Sequence, residues 1–259
     1  MNNSPIGIFD SGVGGTSIWR EIHKLLPHEN TIYLADSKNA PYGAKGKQKI
    51  TELSIKNTEL LLQKKCKLIV VACNTATTNA IQQLRETYDV PFIGIEPAIK
   101  PAALQTKSKA IGILATKGTL SSELFHKTTN LHASGVHIIE QVGEGLVPLI
   151  ENGQIESPEM ENLLKTYLQP MLAANIDYLV LGCSHYPYLI PKLNTMLPEH
   201  VTIIDSGIAA ARQTKAILEV YNLSAQEGAH GNCMFYSNGN PIVLREILQH
   251  EFSVEALDF

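Results

Sequence analysis

Cysteine is scarce in this chain of 259 residues: there are four, Cys66, Cys73, Cys183 and Cys233, and no two form a C-x-x-C pair. That spacing disfavours a zinc site, so no metal is expected. A disulfide framework is not expected either. No Lys/Arg block dominates any segment and the formal net charge is −4. The electrostatic footprint of a nucleic-acid binder is therefore missing, and no nucleic-acid partner is expected. The busiest basic run, Lys45 to Lys49, reads as a solvated helix start. No apolar run reaches the length of a membrane span, which argues against a membrane partner. Residues Met1 to Pro5 are polar and lead straight into a strand, unlike a secretion signal. The expected home is a reducing cytoplasm, where a functional cysteine is a free thiol.

What is present is core material. Hydrophobic residues make up 44% and charged residues 18%, which argues for a folded chain rather than a disordered one. Short, continuous β-branched runs alternate with longer amphipathic ones. The runs predict strands over Pro5–Phe9, Thr31–Ala35, Leu68–Ala72, Pro91–Ile95, Ala110–Ala115, Val136–Glu140, Tyr178–Gly182 and Val201–Asp205. Continuity, rather than alternation, predicts strands buried on both faces of parallel sheets. Helices are predicted between them, among them Thr16–Leu26, Ile50–Lys64, Thr75–Tyr88 and Pro158–Ala174. The expected fold is α/β, with ligands bound outside the carboxyl ends of the strands.

A weak internal repeat is visible. "IGIFDSGVGG" from Ile6 echoes "IGILATKGTL" from Ile111, and "LIVVACNTAT" from Leu68 echoes "YLVLGCSHYP" from Tyr178. Cys73 follows Asp10 by 63 positions and Cys183 follows Thr116 by 67. Two similar α/β lobes are expected, each a largely parallel sheet flanked by helices, with the active site in the cleft between them. The chain is expected to cross near Gly94–Ala102 and again near Ile203–Gln213. The first lobe then comprises 1–97 plus 207–259, and the second 98–206.

The polar clusters just after strands hold the candidate chemistry. Cys73 and Cys183 each end an apolar strand and precede hydrogen-bonding side chains. A cysteine at a helix N-terminus has its thiolate stabilised by free N–H groups and the macrodipole. The plainer reading is a small hydrophobe ending a strand; the repeated placement favours function. Cys66 and Cys233 lack that setting and read as structural. In "FDSGVGG", Asp10 and Ser11 close the first strand, and three glycines let the backbone approach a ligand. The loop lacks nucleotide-binding spacing, and Asp10 as a plain helix cap stays open. In "ADSKNAPYG", Asp36 and Tyr42 could face a pocket, or form an ordinary turn. Thr116 and Thr119 supply hydroxyls at the start of the second lobe. His185, two residues after a thiol, is a candidate proton partner, and Glu151 a weaker candidate acid.

Two opposed thiols suit a task that is the same in both directions. Moving a proton off a stereogenic carbon and returning one to the other face is such a task, with thiolate base and thiol acid exchanging roles. Charge developing on the carboxylate then needs donors already in place, and Ser11, Asn74, Thr75 and Ser184 are of that type.

The ordered motifs "IFDSGVGG", "ADSKNAPYG", "ACNTAT", "GIEPA", "ATKGT" and "LGCSHYP" resemble those of the glutamate racemases, in the aspartate/glutamate racemase superfamily. The resemblance runs from residue 6 to about 207. It implies a two-domain fold, cofactor-independent interconversion of L- and D-glutamate, D-glutamate supply for peptidoglycan, and a homodimer. Carried over by position, it implies Cys73 and Cys183 as the acid/base pair. Asp10 then assists Cys73, and His185 with Glu151 assists Cys183. Substrate contacts fall on Asp10, Ser11, Tyr42, Gly43, Asn74, Thr75, Ser184 and His185. Ser184 stands where that family usually has Thr, so a methyl is lost and the hydroxyl kept. Three other readings remain: a racemase of aspartate or another amino acid, a non-catalytic two-lobed small-molecule binder, and a thiol hydrolase using Cys183 and His185.

Overall fold

In a computed structural model of the protein, residues 3–226, 228 and 230–259 are described; Met1 and Asn2, part of the polar start noted above, lie outside them. Among the described residues ten strands form: β1 (Ile6–Asp10), β2 (Thr31–Ala35), β3 (Leu68–Val71), β4 (Phe92–Gly94), β5 (Ala110–Ala115), β6 (His137–Val142), β7 (Tyr178–Gly182), β8 (Thr202–Ile204), β9 (Cys233–Ser237) and β10 (Val254–Ala256). They make two sheets. One has six strands in the order β10-β9-β2-β1-β3-β4, the other four in the order β6-β5-β7-β8. Every pairing in both is parallel.

The eight runs singled out above each form a strand, within two residues at either end. β1, β2, β3 and β5 are buried along their whole length. β6 and β8 are half exposed, because they are the edges of the smaller sheet and one side of each meets no neighbour. Their apolar runs hid that position. The lysine-rich stretch starts the helix Lys47–Gln63; Lys47 and Lys49 are exposed and Lys45 is half-buried.

Helices cover the sheets. The largest buried apolar cluster runs from Ile6, Ile8 and Trp19 in the first lobe to Leu146, Leu181 and Cys183 in the second. Each fully buried Ile or Leu contributes about 1.5–3 kcal/mol. A second cluster, with Phe9, Leu34 and Val71, packs the other face of the larger sheet against the helices Lys47–Gln63 and Asn74–Thr87. Between the lobes, Ser206 Oγ donates to the Glu96 carbonyl and ties the two stretches where the chain passes between the sheets.

Candidate active site

Both sheets are parallel, so their carboxyl ends carry the polar turns. Asp10 ends β1, and Cys73 caps the helix that follows β3. Thr116 caps the helix after β5, and Cys183 follows β7 directly.

Cys73 Sγ accepts the Ala76 backbone N–H at 3.4 Å and lies 3.7 Å from Ser11 Oγ. The side chain is buried. Burial pushes this thiol well above its ordinary pKa, and the charge of Asp10 adds to the effect. The Ala76 N–H and Ser11 pull the other way, while the nearby Cys183 sulfur raises it further. The helix N-terminus does favour a thiolate here, as expected, but desolvation outweighs it.

Cys183 sits among different partners. Its Sγ lies 3.8 Å from His185 Nδ1, and His185 Nε2 lies 2.5 Å from Glu151 Oε1. Burial disfavours a charged imidazole, but the acceptors Cys183, Glu151 and Asp10 outweigh it and hold the His185 pKa well above its ordinary value. Glu151 is gripped from the first lobe as well. The Val13 N–H donates to Oε1 at 2.7 Å and Ser37 Oγ to Oε2 at 2.8 Å.

Asp10 is fully buried between these groups. Its Oδ2 accepts the N–H groups of Gly12 and Gly15, each at 3.0 Å, and lies 3.9 Å from His185 Nδ1. Its Oδ1 accepts from Ser184 Oγ at 3.0 Å. Burial raises its pKa; the charge of His185 opposes that, Glu151 reinforces it, and the Gly15 and Ser184 donors oppose it again. Asp10 is thus more than a helix cap, since it reaches across to the second lobe.

The glycines beside it serve a different purpose from the expected one. A Cβ on Gly12 would stand 1.9 Å from Glu151 Oε1, and one on Gly14 would stand 2.2 Å from His185 Nδ1. They make room for the protein's own carboxylate and imidazole.

On the other side of the cleft three hydroxyls meet. Thr75 Oγ1 lies 2.7 Å from Thr116 Oγ1 and 3.3 Å from Thr119 Oγ1, and the last two are 3.0 Å apart. One cavity is lined by Ser11, Tyr42, Gly43, Cys73, Asn74, Thr75, Thr116, Cys183, Ser184 and His185, with Pro41 and Val147 completing the wall. Thr119, Glu151 and Asp10 stand behind that lining. Asp36 does not face it either: it is buried and accepts the Tyr42 hydroxyl at 2.5 Å. The cavity is only about 10 Å³, room for about one water. As it stands it is too small to hold an amino acid.

Cys66 and Cys233 lie away from this cavity. Burial pushes the Cys66 thiol up to about 12, as suits an inert core residue. Among the described residues no cluster of His, Cys, Asp and Glu suits a metal ion. No helix there is long and apolar enough to cross a membrane.

Pro41, Val147, Val13 and Ser37 escaped the sequence reading. One signal for Ser37 was present. Asp-Ser recurs at the ends of the paired strands β1 and β2, where Asp10 stands opposite Ala35.

Residues 6–214 match the Asp/Glu/hydantoin racemase family. The chain belongs to that family. It is 45% identical to the glutamate racemase of Cupriavidus pinatubonensis over 247 residues, covering 95% of this chain and 91% of the relative. Among solved structures, a glutamate racemase isoform of Bacillus anthracis superposes with a TM-score of 0.88 at 30% identity, covering 100% of this chain and 99% of that one. Escherichia coli glutamate racemase, in complex with L-glutamate and the activator UDP-MurNAc-Ala, superposes with a TM-score of 0.85 at 35% identity, covering 98% of each chain. The fold is therefore that of the family.

Proposed function

We propose that this chain interconverts L- and D-glutamate without a cofactor, one cysteine removing the α-proton and the other returning a proton to the opposite face. The observation that carries the reading is the meeting of Cys73 and Cys183, from different sheets, at one cavity. The likeness to glutamate racemases over nearly the whole chain supports glutamate as substrate.

A thiolate takes the α-hydrogen as a proton, and its electron pair stays on the substrate, spread into the carboxylate. The facing thiol then gives its proton to the α-carbon and becomes the thiolate. Atoms and charge balance, and the site is left with the two roles exchanged. The site at rest is asymmetric. Cys73 holds its proton because it is buried near Asp10. Cys183 has a cationic donor beside it in His185. For one enantiomer Cys183 is the base and Cys73 the acid. For the other enantiomer the protons must shift before the first step. Ser11, Asn74, Thr75, Thr116 and the Gly43 backbone are the donors for the substrate carboxylates, with Ser184 beside them, its hydroxyl given to Asp10; no Lys or Arg lines the cavity. Neutral donors hold charge without competing for the transferred proton.

The two lobes of the reading are 1–97 plus 207–259 and 98–206, closing about the Glu96–Ser206 tie. It extends to a cytoplasmic homodimer that supplies D-glutamate for peptidoglycan, which sedimentation and complementation of a D-glutamate auxotroph would check. In deuterium oxide, both enantiomers should acquire α-deuterium as they interconvert. Replacing either cysteine by Ala should abolish racemisation. Full turnover by Cys183→Ala would rule out the two-thiol mechanism.

A further inference from the structure

Glu151 belongs to the second lobe, yet two of the three donors fixing its carboxylate come from the first. Oε1 takes the Val13 N–H and faces His185 Nε2; Oε2 takes the Ser37 hydroxyl. Ser37 opens the short turn Ser37–Asn39, directly after β2 and Asp36. It is absent from the cavity wall. Its hydroxyl spans 114 positions of sequence to reach Glu151.

We infer that Ser37 is a positioning residue for the Cys183 side of the reaction: its hydroxyl, delivered when the lobes close, locks the Glu151 carboxylate onto His185 and so readies the imidazole that faces the Cys183 sulfur. The inference rests on the two-thiol reading. With Glu151 accepting the Nε2 proton, the neutral ring presents a bare Nδ1 to Cys183, and the charged ring presents a donor there. If the carboxylate turns, both roles weaken. Cys73 has no such dependence, since its partners are Ser11 and Ala76. Parting the lobes removes Ser37 and Val13 from Glu151 together. The second base is then complete only in the closed state, which keeps proton abstraction off a half-bound ligand. The assignment predicts a one-sided defect, which a general loosening of the fold cannot produce.

The test is Ser37→Ala, with Ser37→Thr as the variant that keeps the hydroxyl. Each is assayed with α-deuterated L- and D-glutamate in water. The interconverted species are mirror images, so kcat/KM must stay equal in the two directions and carries no signal. The isotope effects carry it. In Ser37→Ala, kcat should fall by roughly 3- to 10-fold, only part of the strength of one charge-assisted hydrogen bond because Ser37 acts through Glu151. The isotope effect should rise for the enantiomer that Cys183 deprotonates and shrink for the other. Ser37→Thr should restore both. In a Glu151→Ala background, Ser37→Ala should add nothing. Isotope effects that move together, or a Ser37→Ala loss that persists undiminished without Glu151, would overturn the assignment while leaving the two-thiol reading intact. Absence of α-proton exchange in the unaltered protein would overturn that reading, and this inference with it.

Discussion

Glu151 Oε1 and His185 Nε2, 2.5 Å apart, form a pair that only glycine neighbours can accommodate. A methyl at Gly12 would overlap the carboxylate and a methyl at Gly14 the imidazole. Each is therefore a probe of the pair that shifts it without changing the chemistry of any named side chain. Gly12→Ala and Gly14→Ala should each lower kcat by about 100-fold, the cost of displacing a catalytic group by an ångström. Far-ultraviolet circular dichroism should stay native. Activity near that of the unaltered protein in both would show that the pair does not matter to turnover.

Tyr42 offers a cleaner separation of wall from donor. Its ring lines the cavity, while its hydroxyl is committed to Asp36 and accepts from Asn57 Nδ2 at 3.1 Å. Tyr42→Phe should therefore cost stability, about 1–3 kcal/mol for stranding buried polar partners. It should leave kcat and KM close to those of the unaltered protein. Urea denaturation and steady-state kinetics read the two effects. A large rise in KM with unchanged stability would show that the hydroxyl binds substrate instead.

The hydroxyl cluster makes the opposite prediction. Thr75 and Thr116 line the cavity and already pair with each other across the cleft. Thr75→Val keeps the shape and removes one donor. If these hydroxyls hold a substrate carboxylate in ground and transition states alike, KM should rise by roughly 10-fold with kcat little altered. A fall in kcat at constant KM would assign Thr75 to the transition state alone.

Asp177 tests the electrostatics away from the site. Exposed enough to stay well solvated, it nonetheless accepts Thr106 Oγ1 at 2.6 Å and the N–H groups of Lys107 and Ser108 at 2.6 and 3.0 Å. Burial acts to raise its pKa, but these donors win and hold it at about 2. A carboxylate depressed in the folded state stabilises above its unfolded pKa, and the gain is lost as the pH falls toward the folded value. Asp177→Asn should thus lower Tm at pH 7, with the gap to the unaltered protein closing between about pH 4 and pH 2. A gap that is constant with pH would mean that shape rather than charge matters there.

Local pattern carried much of this fold and little of the wiring. β3 and β7 were legible because a strand buried on both faces must be apolar at every position, and the thiols were legible because both follow such runs. The edge positions of β6 and β8 were not, since an apolar edge and an apolar centre read alike. β9, which begins at Cys233, was not among the predicted runs, and β10 has three residues, too few for a period. Asp10, Cys73, Cys183 and His185 carried their own signals in dense polar turns. Glu151 did not. Its partners Val13 and Ser37 are 138 and 114 positions away, and no spacing rule spans the closure of two lobes. The glycines of "FDSGVGG" were read as letting the backbone approach a ligand. What approaches was invisible, because it comes from another lobe.

The central claim is that Cys73 and Cys183 address opposite faces of one carbon. The most direct measurement is a crystal structure of the protein with glutamate bound. The account predicts the two sulfurs on opposite sides of the α-carbon, each in contact range of its hydrogen position, with His185 beside the Cys183 sulfur. Both sulfurs on one face of the ligand, or glutamate lodged where only one thiol reaches it, would contradict it.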